Sequence, residues 1–192
     1  MPRQPATLAA PRDDLSLAFV NTRYWRGRAM PSETLAAPAN LAAWWHGETG
    51  QHIAVPDAET FNAALDLREC LHRHFAARAQ QRIPASGDVT ALNKALAEAP
   101  ARRILALADG GLAWAVETPA AWATARATLL WSAADLLTGP RRGRVRECDN
   151  PECRYLFLDA SKAGTRRWCD MSSCGNRAKA HRHYRKRQAE LK

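Results

Sequence analysis

Four of the five cysteines fall into two pairs with the same spacing. Cys148-Asp149-Asn150-Pro151-Glu152-Cys153 and Cys169-Asp170-Met171-Ser172-Ser173-Cys174 are both C-x4-C, and fifteen residues (154 to 168) separate them. A loop this short brings two sulfurs to one ion at ~2.3 Å, and two such loops complete the tetrahedral thiolate shell that zinc favours. The expectation is one Zn²⁺ per chain, held by Cys148, Cys153, Cys169 and Cys174. Pro151 suits a tight knuckle turn that aims backbone amides at sulfur. Thiol redox chemistry is a weaker reading because neither pair is C-x-x-C. An iron–sulfur cluster also ranks behind zinc, as does His181 or His183 replacing a cysteine. Cys70 lies beside the apolar stripe of a long helix and reads as a small core residue.

The surroundings of the four thiols suggest how they are positioned. Tyr155 to Leu158 reads as a strand, Asp159 to Gly164 as a turn, Arg166 to Cys169 as a second strand, and Ser172 to about Ala189 as a helix. Cys174 then sits in the helix's first turn, where free amides stabilise a thiolate. This order describes a treble-clef-like zinc finger. Only Val145, Tyr155, Leu156, Phe157, Leu158 and Trp168 are sizeable apolar residues in it. With so thin a core, metal binding has to supply folding energy on the order of 10 kcal/mol. The metal-free finger is expected to be unfolded while the rest of the chain stays folded.

Charge marks the same segment. Residues 141–192 hold 15 Lys and Arg against 6 Asp and Glu, a net charge of +9, whereas residues 1–140 are neutral. A field this concentrated points to a polyanion, because neutralising phosphates releases counterions. At 100° per residue, Lys179, Arg182 and Lys186 form one stripe of the terminal helix, His183 and Arg187 flank it, and Arg177 lies opposite with Tyr184. The stripe suits a phosphate backbone or a major groove of double-stranded DNA. Asn176, Lys179 and His183 are the candidates for reading bases. Arg166, Arg167 and Arg177 are candidate contacts too, or they offset the charge near −2 of a four-thiolate zinc site. A basic finger serves RNA equally well, so an RNA- or ribosome-associated module is the rival reading.

Residues 1–140 read as a mainly helical domain with one small β-hairpin, an α+β unit that ends at Gly139-Pro140. Helices are expected after Asp13-Asp14, from Pro38, from Pro56-Asp57 to before Pro84, from Asp88 to Ala99, and from Thr118-Pro119 to Gly139. Asp109-Gly110-Gly111 between ILALA and LAWAV marks the hairpin. Asn21, Thr22, Arg26 and Trp45 are candidate contacts for a small-molecule effector, within an Arg- and Trp-bearing segment suited to an anion or a planar ligand. No acid, base or nucleophile constellation is recognisable, so an enzyme is not expected. No apolar run reaches the ~18 residues of a bilayer span and no signal core opens the chain, so the expected setting is the cytoplasm, at the nucleoid, with no membrane partner. One finger has a small footprint, so a homodimer or a further partner is expected to add specificity.

The stretch Arg146-Glu147-Cys148, Pro151-Glu152-Cys153, Leu156-Phe157-Leu158-Asp159-Ala160-Ser161, Arg166-Arg167-Trp168-Cys169 and Cys174-Gly175-Asn176-Arg177-Ala178-Lys179 resembles the CGNR zinc finger, named for the residues here at 174 to 177. Upstream, Leu17-Ala18-Phe19-Val20-Asn21-Thr22 and Leu41-Ala42-Ala43-Trp44-Trp45 are similar to the ABATE domain, which accompanies that finger in stress-induced bacterial transcription regulators. Ala18 departs from the acidic residue of relatives. The resemblance implies zinc on the four cysteines, DNA binding by the finger, and a sensor domain before it.

Overall fold

The structure is a computed structural model that describes residues 6–7, 15–102, 104–108, 111–116, 121–180, 184 and 187. The chain runs β1 (Ala6–Thr7), α1 (Leu15–Val20), β2 (Arg23–Tyr24), β3 (Ser32–Glu33), α2 (Pro38–Thr49), α3 (Ala58–Ala79), α4 (Ser86–Glu98), β4 (Ile104–Ala108), β5 (Gly111–Val116) and α5 (Ala121–Thr138). A 3₁₀ turn, Pro140–Arg144, leads to β6 (Val145–Glu147), β7 (Leu156–Leu158) and a π-helical turn, Met171–Gly175. Residues 176–180, 184 and 187 continue that turn as the finger helix.

Local chemistry accounts for the helices. Asp57 caps α3 by accepting the Thr60 N–H at 2.8 Å, which satisfies one of the four amides a helix start leaves free. Pro38 opens α2, where its missing N–H costs nothing, and Gly50 closes it at φ 73°. Leu67, Leu71 and Phe75 of α3 all point into the core as the four-residue spacing requires. The six-residue α1 is nearly engulfed: Leu15, Leu17, Phe19 and Val20 are buried against α3 and α5. Its stability comes from that packing, since six residues are too few to hold a helix alone.

The hairpin forms as expected, with Leu105 opposite Trp114 and Leu107 opposite Leu112. Its turn residues Asp109 and Gly110, the acids 13 and 14, and residues 118 to 120 lie outside the described residues. Short β1 adds a third strand in the order β1-β5-β4 that the sequence did not signal. One sheet face stays wet, with Leu107 86% and Leu112 68% exposed.

The C-terminal segment differs in two ways from the expected layout. The stretch from Arg166 to Cys169 is not a strand; β7 pairs instead with β6, Val145 opposite Leu158 and Glu147 opposite Leu156. Val145 offers an apolar side chain to the core, whereas Arg166 donates its N–H to the Asp159 carboxylate rather than to a neighbouring strand. The finger also shares its packing with the helices: besides a small cluster of Cys148, Cys153, Phe157 and Cys174, it contributes to the main core. Val145 and Leu156 belong to the same buried cluster as Phe19, Leu71 and Leu129, so the chain boundary at Gly139-Pro140 is not a boundary in the packing. Among the described residues, no helix is long and apolar enough to cross a membrane.

Candidate metal centre

β6 delivers Cys148 to the site, and its N–H donates to the Tyr155 carbonyl at 2.8 Å. That bond closes the knuckle, in which the Cys153 and Arg154 amides both donate to the Asn150 carbonyl. The Asn150 side chain ties the first pair to the second, its Nδ2 donating to the Cys174 Sγ at 3.5 Å. Asp170 caps the turn that carries Cys174, accepting from the Ser172 and Ser173 amides and from the Ser172 hydroxyl. Those bonds, the Ser172 hydroxyl's first, hold its carboxyl down to about 2.

All four sulfurs lie within 4.8 Å of one another. Cys153 and Cys169 are 3.7 Å apart, and Cys169 and Cys174 are 3.8 Å apart. A tetrahedron with zinc–sulfur bonds of ~2.3 Å has edges of about 3.8 Å, so the spacing fits one zinc ion. Crowding shifts the thiols in opposite directions. Hydrogen bonding from the Cys153 thiol pulls Cys148 down to about 5 against its burial, while burial first, and then the charge of Cys148, push Cys169 up to about 12. Four thiolates cannot share this space without a cation between them, and a dication removes the conflict.

The arginines around the centre differ in what they hold. Arg166 donates to the carbonyls of Trp168 and Cys169 and lies 4.7 Å over the Phe157 ring, which fixes the approach to the second pair. Arg167 pairs with Asp149, and Arg154 with Glu147. Arg177 packs over Trp25 of the N-terminal segment. Asn176 Nδ2 donates to the Ser172 carbonyl at 3.1 Å, in the turn that carries Cys174. Lys179 and Arg187 are exposed. Arg182, His183 and Lys186 lie outside the described residues. A cleft of about 430 Å³ between the end of α3 and the finger is lined by Arg146, Arg166 and Arg167 together with Glu147 and Asp149.

The four residues singled out in the N-terminal region are used internally. Asn21 Nδ2 donates to the Leu156 carbonyl at 2.7 Å and its Oδ1 accepts the Leu156 N–H at 3.1 Å, so one side chain acts as a strand neighbour for β7. Thr22 donates to the Phe19 carbonyl and accepts from Arg68. Arg26 bonds the Glu69 carboxylate and the Val20 carbonyl. Trp45 is a core residue whose Nε1 has no hydrogen-bond partner among the described residues. Sequence reasoning missed Arg68, which is buried and bonds both oxygens of Glu33 as well as Glu69. Burial alone would raise the Glu69 carboxyl, but its bond to Arg26 and the charges of Arg26, Arg68 and Arg23 outweigh burial and lower it. An arginine in mid-helix carries no sequence signal of burial.

Comparison with protein families agrees with this geometry. A family model described as "CGNR zinc finger" matches residues 144–187, the segment that brings the four sulfurs together. A second, ABATE, described as "Putative stress-induced transcription regulator", matches residues 13–140, two thirds of the chain. The chain belongs to the ABATE family. Among curated proteins, none matches its sequence. The two matches follow one another in the order ABATE then CGNR finger, and the finger's four cysteines are those that form the zinc centre.

Proposed function

We propose that this zinc-binding regulator acts by binding double-stranded DNA through its finger, while the ABATE domain receives the signal. The observation that carries the reading is the combination of a four-sulfur centre with the helix rooted on it. The centre anchors Cys174, and the helix that leaves it carries exposed Lys179 and Arg187 in the segment that holds the chain's whole net charge of +9. Zinc fixes the root of the helix, and the cations lie along it where a phosphate backbone can run. On this reading the protein works in the cytoplasm at the nucleoid and by binding rather than catalysis. A second copy or a protein partner extends the few base pairs one finger can cover.

Sensing has support in the packing. α3 touches β6 and β7, and α1 touches β7, so a ligand or stress that shifts either helix shifts the finger. The DNA reading is tested with a fluorescent duplex and zinc-loaded protein over a salt series. Binding should weaken with salt at about −0.9 log unit of affinity per log unit of salt for each phosphate neutralised. Replacing Lys179, Arg182 and Lys186 with Ala should lower both the affinity and that slope. Preference for structured RNA over duplex in direct competition would favour the rival reading.

A further inference from the structure

We propose that Trp25 and Gly27 are positioning residues: the loop 25–28 of the ABATE domain grips the first zinc knuckle and, through Arg177, sets the direction in which the finger helix points. The loop is itself held firmly. Arg26 ties it to Glu69 of α3 at 2.8 Å and to the Val20 carbonyl at 3.0 Å, and the Arg28 N–H donates back to the Trp25 carbonyl at 3.0 Å. Trp25 has φ 54°, a left-handed backbone that a bulky residue adopts only where its surroundings compel it.

Two contacts seat the loop on the knuckle. The Gly27 N–H donates to the Glu152 carbonyl at 3.1 Å, and Arg28 pairs with the Glu152 carboxylate at 3.0 Å. The fit admits no side chain: a Cβ on Gly27 would lie 1.7 Å from the Pro151 carbonyl oxygen and 2.9 Å from the Glu152 Cα. Both obstacles are backbone, so they cannot swing aside. The indole of Trp25 completes the join. It packs against the cluster of Cys148, Cys153, Cys174 and Phe157, with the Arg28 guanidinium 3.9 Å and the Arg177 guanidinium 4.9 Å from its ring centre. Arg177 lies three residues beyond Cys174. Holding Arg177 on Trp25 therefore sets the rotation of the helix about its axis and turns Lys179, 200° further round, away from the ABATE domain. The fourth residue of the C-G-N-R run serves as the pin of a hinge in this arrangement, and Lys179 faces outward because the pin is seated.

The claim separates from the DNA reading by its first measurement, which needs no DNA. Hydrogen exchange of full-length, zinc-loaded protein is followed over residues 171–180 in wild type, Trp25→Ala, Trp25→Phe, Gly27→Ala, Arg177→Ala and the Trp25→Ala/Arg177→Ala double variant. One zinc per chain should be retained. Exchange should rise about tenfold in Trp25→Ala and Arg177→Ala, with the double variant no worse than either alone, because the two act through one contact. Trp25→Phe should restore protection. Arg177 is exposed, so its variant remains informative if Gly27→Ala does not fold. Unchanged exchange in Arg177→Ala, or effects of Trp25 and Arg177 that simply add, would overturn the proposal. The second measurement rests on the DNA reading. Trp25→Ala removes no charge, yet it should reduce the salt slope of duplex binding as much as Arg177→Ala does, whereas a role confined to folding leaves the slope intact. If wild type binds no duplex, the DNA reading is lost and the exchange result still decides the positioning claim.

Discussion

Single side chains hold the two matched segments together. Asn21 satisfies both backbone groups of Leu156, which is itself fully buried. Asn21→Ala should leave a buried donor and acceptor unpaired and lower stability by about 2 to 4 kcal/mol, read from urea unfolding. A loss under about 1 kcal/mol would mean that water replaces the amide. His72 makes a pH prediction. Burial first, then the charge of Arg26, push it from its ordinary value near 6.5 down to about 4, with Glu69 pulling the other way and Arg154 and Arg23 nearby. Between those values the unfolded chain takes up a proton that the folded chain refuses, so stability should fall as pH drops from about 6.5 to about 4, by on the order of 2 kcal/mol. His72→Gln should flatten that slope in denaturation curves recorded across the range. An unaltered slope would place the acid sensitivity elsewhere, with the thiolates first in line.

At the level of elements, the turn after Asp170 is the part of the zinc site most exposed to damage. Asp170→Ala removes the acceptor for two amides ahead of Cys174. It should weaken zinc binding by roughly tenfold in competition with a chromophoric chelator, and unchanged affinity would show that the metal alone orders the turn. The same element shows what a sequence makes legible. The two C-x4-C pairs and the Asp57 cap are local, so spacing and residue type were enough to place them. The partner of β7 was not local. Val145 and Arg166 both stand near it in sequence, and only the need to bury Val145 against the helices, which no local pattern expresses, selects β6. The hidden Arg68 and the grip of loop 25–28 were illegible for the same reason: both depend on residues more than thirty positions away.

For the molecule as a whole, the shared core changes what metal loss should do. An independent finger would unfold by itself and leave the ABATE domain intact, which is what composition alone suggested. With Val145 and Leu156 in the same cluster as Phe19 and Leu129, losing the zinc should loosen the helical core as well. Calorimetry with and without chelator should show a single transition shifted to lower temperature. Two transitions, one of them insensitive to chelator, would show that the parts melt separately. Cys169→Ser should behave like chelator treatment and reduce the bound zinc measured by elemental analysis.

Asn21 filling in as a neighbour of β7 also bears on how the finger can be handled. An excised piece beginning at residue 141 would carry Val145 and Leu156 into water with the amide and carbonyl of Leu156 unclaimed, a raw seam rather than a finished surface. Such a fragment invites self-association, and gel-shift experiments performed with it would report the stickiness of the cut. The natural unit for any binding study is the uncut polypeptide.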